Sequence, residues 1–316
     1  MGTTVASIPR RSADELEAPP LGLRQLAWRR FRRHKMALFG SAVLILLIAY
    51  CFGGALFVTE EYANHNDLNL KEHPLSADHP FGTDQIGRDI LARTIYGGQI
   101  SLVIGLAAVL VEVVLGILVG AIAGYYGGKI DALLMRFTEA MINIPQIFLL
   151  LVMAKFFAGD IPNFNFLGRT YSGSLIVIIV IIGATSWMYL ARIVRAEFLS
   201  LKERDFVLAA RATGTPARQI IFRHILPNCV APIIVSATLS VANAILSEAY
   251  ISFLGMGVQP PTATWGNMLD RAYEFIDKGV PWLWFFPGLF ILLTVLSINF
   301  VGDGLRDALD PRSRAV

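Results

Sequence analysis

Six apolar runs, each about twenty residues long, constrain this chain more than any other feature: 36–58, 100–125, 134–157, 174–190, 231–250 and 282–301. At ~1.5 Å per residue a helix of that length crosses the hydrocarbon core of a bilayer. A soluble domain has no need of such runs. Only 16% of the residues are charged, against about a quarter in ordinary soluble domains. The expectation is an all-α polytopic membrane protein with six transmembrane helices.

The first run begins at Met36, behind a long polar segment. A secretory leader has a shorter apolar stretch nearer the start, so 36–58 reads as a retained span. Residues 1–23 are polar and carry Pro9, Pro19 and Pro20, a composition that reads as disordered. Arg24, Arg29, Arg30, Arg32, Arg33 and Lys35 then abut the first span, which by the positive-inside rule puts the N-terminus in the cytoplasm.

Six spans return the C-terminus to the same side, and the loops agree. Residues 59–99 are acidic, with Glu60, Glu61, Asp67, Glu72, Asp78, Asp84 and Asp89 against Lys71, Arg88 and Arg93. Residues 191–228 carry Arg192, Arg195, Lys202, Arg204, Arg211, Arg218 and Arg223, and the tail has Arg306, Arg312 and Arg314. Trp187 and Tyr189 near the inner end of span four, and Trp282 and Trp284 at the outer end of span six, suit the membrane interfaces. The chain thus divides into a cytoplasmic tail (1–35), a first span (36–58), an extracytoplasmic loop (59–99), a five-span core (100–303) containing the loop 191–228, and a cytoplasmic tail (304–316).

Several chemistries are disfavoured. The net charge of +3 is too small to argue for nucleic acid. Cys51 and Cys229 fall near opposite faces of the membrane and read as buried thiols. His65, His73 and His79 have no metal-site spacing and read as solvated loop histidines. Gly128-Lys129 is followed by Ile130, and Ala123 stands where a phosphate-binding loop needs its first glycine. No nucleophile or metal motif is recognisable, so no catalytic residue, metal or bound cofactor is assigned.

The polar residues inside the apolar runs are candidates for function. Glu112 lies mid-span, where an ionised group is costly and faces protein or water. It reads either as a functional group or as a helix-contact residue. Asn143 and Pro145 sit early in span three, where Pro145 is expected to distort the helix. Asn243, Ser247 and Glu248 roughly share one face of span five. That face either lines a pathway or hydrogen-bonds to another helix. Gly116, Gly120 and Gly124 form a smooth strip in span two, read as a close helix contact rather than as the general abundance of glycine in membrane helices.

The loop 191–228 is the most informative segment. Helix formers run up to Gly214, a helix terminator; Thr215 is placed to cap a second helix and Pro216 to open it, and Pro227 is expected to end or bend that helix before span five. The result is a helix–turn–helix tethered to the membrane at both ends. The tethers argue against DNA. A helix lying on anionic lipid and a docking element for a cytoplasmic partner both fit. Small residues Ala209, Ala210 and Gly214 would permit close approach, and Asp205 is among the flanking charges.

This loop resembles the EAA loop of binding-protein-dependent ABC importer permeases. Ala209, Ala210, Gly214, Leu226 and Pro227 stand at the family spacing. Leu208 replaces the family's glutamate and His224 its isoleucine, with Glu203, Asp205 and Ile225 nearby, so the glutamate's role is not carried over. His79–Asp89, Glu248–Pro261 with Trp265–Met268, and Leu305–Arg312 are similar to segments of the dipeptide, oligopeptide and nickel branch. Together they cover about residues 25–312 and are most like the C-type subunit of dipeptide permeases.

The resemblance implies a type I importer permease fold in a bacterial or archaeal plasma membrane. It implies a heterodimer with a homologous permease, two cytoplasmic ABC ATPases that hold ATP and Mg, and an extracytoplasmic solute-binding protein. The expected substrate is a dipeptide or oligopeptide, with nickel or another small solute as the alternative. A secondary transporter or channel is the reading from a different class; such carriers often show paired internal repeats, and none is convincing here.

Overall fold

The computed structural model describes residues 22–157, 161–166, 168–270 and 272–310. The helices are α1 (Leu23–Phe31), α2 (Lys35–Gly53), α3 (Glu60–Asn64), α4 (Ile90–Tyr126), α5 (Gly128–Ile142) and α6 (Gln146–Phe157). A hairpin of β1 (Phe164–Phe166) and β2 (Arg169–Tyr171) follows. Then come α7 (Ser174–Leu201), α8 (Asp205–Ala212), α9 (Ala217–Phe253), α10 (Trp265–Met268) and α11 (Trp282–Leu309). Five of these helices are long and apolar enough to cross a membrane, and α5 with α6 makes a sixth if the bent pair is one span. The helical expectation holds, with one two-stranded antiparallel hairpin pairing Phe164 with Tyr171. The disordered reading of 1–23 falls almost wholly outside the described residues, as do Arg312 and Arg314.

The core is a parallel pair. Ile100, Ile104 and Ala108 of α4 pack against Ile178, Ile181 and Ile182 of α7. The contact continues through Ala121 to Leu190, Val194 and Phe198. The glycine strip makes it possible. A Cβ on Gly120 would stand 2.5 Å from the Ala191 carbonyl oxygen, and one on Gly124 2.5 Å from the Phe198 Cβ. Backbones this close gain dispersion contacts that lipid tails cannot displace. The opposite side of α4 presents Leu106, Leu110, Val114 and Leu118, all exposed, a stripe suited to lipid or to another apolar helix.

Every span differs from the hydropathy reading at one end or in its course: α2 stops at Gly53, short of 58; α9 begins at Ala217 rather than 231; α11 runs to Leu309, past 301 and into the stretch read as a tail. α4 begins at Ile90, because Arg93, Thr94 and Gln99 are polar yet buried. Arg93 Nη1 donates to Asn64 Oδ1 at 3.2 Å, and Gln99 Nε2 donates to the Cys51 carbonyl at 2.7 Å. Its 37 residues make a rod of about 55 Å, longer than the bilayer core. α7 runs past Leu190 to Leu201, because Val194 and Phe198 are buried against α4 and the loop although Arg192 and Arg195 interrupt the apolar run. The third span is broken by 86° between α5 and α6, with Pro145 at the break. Proline has no N–H to give and its ring crowds the preceding turn.

One end of the bundle carries α1, α8 and the end of α11. Arg30 Nη1 donates to the Asp310 carbonyl at 3.0 Å and His34 Nε2 lies 3.6 Å from Asp307. The other end is closed by the 59–89 loop and the segment after α9. There Trp282 Nε1 donates to the Thr83 carbonyl at 3.1 Å. His65 is exposed, but His79 is not simply solvated: its Nδ1 lies 2.8 Å from Asp89 Oδ2, while Asp89 Oδ1 caps α4 by accepting from the Ala92 N–H. Trp187 is buried and stacks on Phe137, so its place is set by packing rather than by the interface. Cys51 and Cys229 are both free and buried.

Candidate functional site

α8 is amphipathic and seated on one face. Val207 and Ala210 are buried with Phe198 of α7 and Ile220, Ile221 and Ile225 of α9. Phe206, Leu208 and Phe222 are 42%, 44% and 51% exposed. Asp205 opens the helix and is exposed, as is Ala209; Ala210 therefore faces inward and Ala209 outward. The turn after α8 is a Schellman motif. Gly214 has φ +76°, the Thr215 N–H reaches the Ala210 carbonyl, and the Gly214 N–H reaches the Arg211 carbonyl, both at 3.0 Å.

Two details of this loop correct the sequence reading. Thr215 does not cap the next helix: its hydroxyl lies 3.3 Å from that of Thr213, and Pro216 takes the N-cap position without a side-chain bond. Nor does Pro227 end the helix or bend it sharply. α9 passes through it with a widened turn over Ile220–Ile225 and a tightened one over Leu226–Cys229. The widened turn clears room for the proline ring against the preceding carbonyls. Leu226 packs against the buried cluster, while Pro227 is exposed. Four arginines on the same segment, Arg204, Arg211, Arg218 and Arg223, are also exposed, with Arg218 and Arg223 beside Phe222. Arg211 lies over the Tyr125 ring at 5.3 Å. The result is a packed knob whose exposed crown carries apolar side chains interspersed with arginines.

The polar span residues separate into two groups. Glu112, Asn243 and Ser247 line one cavity of about 640 Å³ between α4, α7, α9 and the α5–α6 break, together with Gln146, Ser186 and Ser240. Ser240 Oγ donates to Glu112 Oε1 at 2.7 Å, and Gln146 Nε2 donates to Ser186 Oγ at 3.1 Å. Ser236 and Leu239 also border a second groove, of about 770 Å³, which runs on toward Asn228 and Arg306. Polar positions 236, 240, 243 and 247 thus follow one face of α9.

Glu248 is not on that face. It is 1% exposed and turned inward. Its Oε1 accepts from Ser252 Oγ and Thr264 Oγ1, both at 2.7 Å, and its Oε2 from Ser101 Oγ at 3.4 Å. The adjacent Trp265 N–H donates to Ser101 Oγ and its indole N–H to the Thr94 carbonyl. Glu248 therefore knots α9, α10 and α4 together, the alternative the sequence left open. A step of five residues turns a helix 500°, which moves Glu248 off the line through Asn243 and Ser247. Asn143 also lies outside the cavity lining: it is exposed at the α5–α6 break, and its Nδ2 donates to the Glu139 carbonyl at 2.7 Å.

Phe206, Val207 and Phe222 carry the loop's packing and its exposed apolar surface, and none is among the small residues to which the sequence points. Their signal was the apolar spacing within the basic loop. Ser240 was missed because a lone serine in an apolar run is unremarkable until its partner is known.

A bundle of long apolar helices, with a polar groove along one helix and a packed helical knob at one end, defines a membrane permease. The chain belongs to the family described as the binding-protein-dependent transport system inner membrane component, which matches residues 116–315. Residues 22–74 match the N-terminal transmembrane domain of oligopeptide transport permease C. It is a multi-pass inner-membrane protein. Its relatives include the dipeptide transport system permease protein DppC of Bacillus subtilis, 38% identical over 96% of this chain and 90% of that one. Another is the oligopeptide transport system permease protein OppC of Haemophilus influenzae, 40% identical over 98% and 96%. A solved structure of the MetNI methionine ABC transporter in inward-facing conformations superposes with a TM-score of 0.51 at 21% identity, covering 68% of this chain and 94% of that one. That likeness shows the shared ABC permease fold.

Proposed function

We propose that this chain forms half of the translocation pathway of an ATP-driven importer for dipeptides or oligopeptides. The observation that carries the reading is its near full-length similarity, at 38% and 40% identity, to relatives named as dipeptide and oligopeptide permeases. The other half comes from a homologous permease, and an extracytoplasmic binding protein delivers the peptide. Both termini and the α8 knob lie in the cytoplasm, in keeping with the positive-inside bias. Two ATPases hold ATP and Mg there, and this chain binds neither.

In this reading exposed residues of the knob, among them Phe206, Leu208, Ala209 and Phe222, contact an ATPase, with the exposed arginines setting orientation. α8 is fastened through Val207 and Ala210 to α7 and α9. A push on the knob therefore reaches both helices that border the groove. ATP binding then biases a two-state bundle between inward and outward opening. Glu112, Asn243 and Ser247 offer polar partners to a passing solute. Asn143 and Glu248, both expected as pathway residues, have other places here: Asn143 is exposed at the α5–α6 break and Glu248 braces the helices behind the groove.

Co-purification from native membranes in mild detergent tests the assembly. A second six-span permease and one or two ATPases should come along and be lost when Ala210 or Gly214 is replaced by a bulky residue. Isolation of the chain alone under several detergents would contradict the reading, as would uptake independent of ATP.

A further inference from the structure

We propose that Glu112 is a cation station in the groove, receiving the primary ammonium of a passing solute such as the free amino terminus of a short peptide. The inference rests on the pathway reading and adds the chemistry of recognition to it. Among the described residues Glu112 is the one carboxylate that lines the cavity, and no lysine, arginine or histidine lines it. The side chain is only 4% exposed, so its rotamer is held by packing. One oxygen accepts from Ser240 Oγ at 2.7 Å. Among the described residues no hydrogen bond reaches the other oxygen, yet no fully buried side-chain oxygen lacks a partner. Oε2 therefore keeps access to the cavity.

A carboxylate with one oxygen tied and one free is half of a charge-assisted pair waiting for a donor. The hydroxyl and amide oxygens of Ser186, Asn243 and Ser247 can take the remaining N–H bonds of an ammonium. A dehydrated divalent cation would need several anionic or imidazole ligands. Among the described residues no group of three or more His, Cys, Asp or Glu side chains is placed to hold a metal ion. An anionic solute would meet an unopposed negative charge in a partly dehydrated site. One carboxylate is also weak enough to release what it binds, as conduction requires.

The test uses the full chain in its native membranes with Ser247 changed to cysteine. Labelling rates are measured with a cationic trimethylammonium and an anionic sulfonate methanethiosulfonate. Cys51 and Cys229 are both 0% exposed, and the unchanged chain measures their background. With Glu112 present, the cation-to-anion rate ratio should exceed that of a small free thiol on the order of tenfold. Glu112→Asp should keep the preference and Glu112→Gln should abolish it. Millimolar trialanine should slow cationic labelling, and N-acetyl-trialanine should not. An unchanged ratio in Glu112→Gln, or equal protection by both peptides, overturns the station while leaving the pathway intact. No labelling by either reagent, at rest or during ATP turnover, overturns the pathway reading itself. Where Glu112→Gln fails to accumulate, the peptide pair on Ser247→Cys alone decides.

Discussion

Asp131 and Arg195 grip each other with two parallel bonds: Arg195 Nε to Asp131 Oδ1 at 2.5 Å and Nη2 to Oδ2 at 2.6 Å. They join the start of α5 to the last third of α7, the helix that leads into α8. The pair is part-exposed, so it contributes about 1 kcal/mol to stability. Its larger effect is geometric, because a two-pronged pair fixes orientation as a single contact cannot. Arg195→Lys should leave thermal stability in detergent within a few degrees of the parent while lowering ATP-driven uptake severalfold. Equal uptake per folded molecule would show that the tether is dispensable.

The α4–α7 seam should tolerate no side chain at its closest point. Gly120→Val places methyl groups where the Ala191 carbonyl and Val194 already stand. Overpacking of this kind costs about 1–3 kcal/mol or more. Folded yield and melting temperature in detergent should both fall. Alanine at Gly53, where nothing approaches within 4 Å, serves as the tolerant control.

Glu248 should behave as a structural residue. Leucine there strands the hydroxyls of Ser252, Thr264 and Ser101, at about 1–3 kcal/mol for each buried group left unpaired. Glu248→Gln keeps acceptor capacity and should lose less. Uptake should fall in proportion to folded protein, with the rate per folded molecule unchanged. A lowered rate in fully folded Glu248→Gln would restore a pathway role.

The two faces of α8 should separate in mutagenesis. Ala210→Phe forces a ring against Ile220 and Ile221 and should destabilise the knob. Phe206→Glu changes only the crown; folding should persist while ATPase recovery on co-purification drops severalfold. At the turn, Gly214→Ala should cost about 1 kcal/mol, because φ +76° is strained for a residue with a Cβ. ATPase recovery that survives Phe206→Glu would move the contact elsewhere on the loop.

What the linear chain determines here is whatever depends on neighbours a few residues away. Spans were legible because apolar length against bilayer thickness is a local property. The α8 turn was legible because Gly214 acts on its own backbone, and the break of span three because Pro145 does the same. The start of α4 was not, since Arg93 and Gln99 are buried by partners from the outer loop and the first span rather than by their own hydropathy, and neither was the end of α7, where Val194 and Phe198 are buried by α4, α8 and α9. The same reason separates the polar candidates. Glu112 and Glu248 look alike in sequence, each a lone carboxylate in an apolar run. Only tertiary packing sets Thr264 and Ser101 around Glu248 and leaves Glu112 with Ser240 and an open oxygen. A buried charge takes its role from the donors within hydrogen-bonding distance, and in this fold those donors come from helices far apart along the chain.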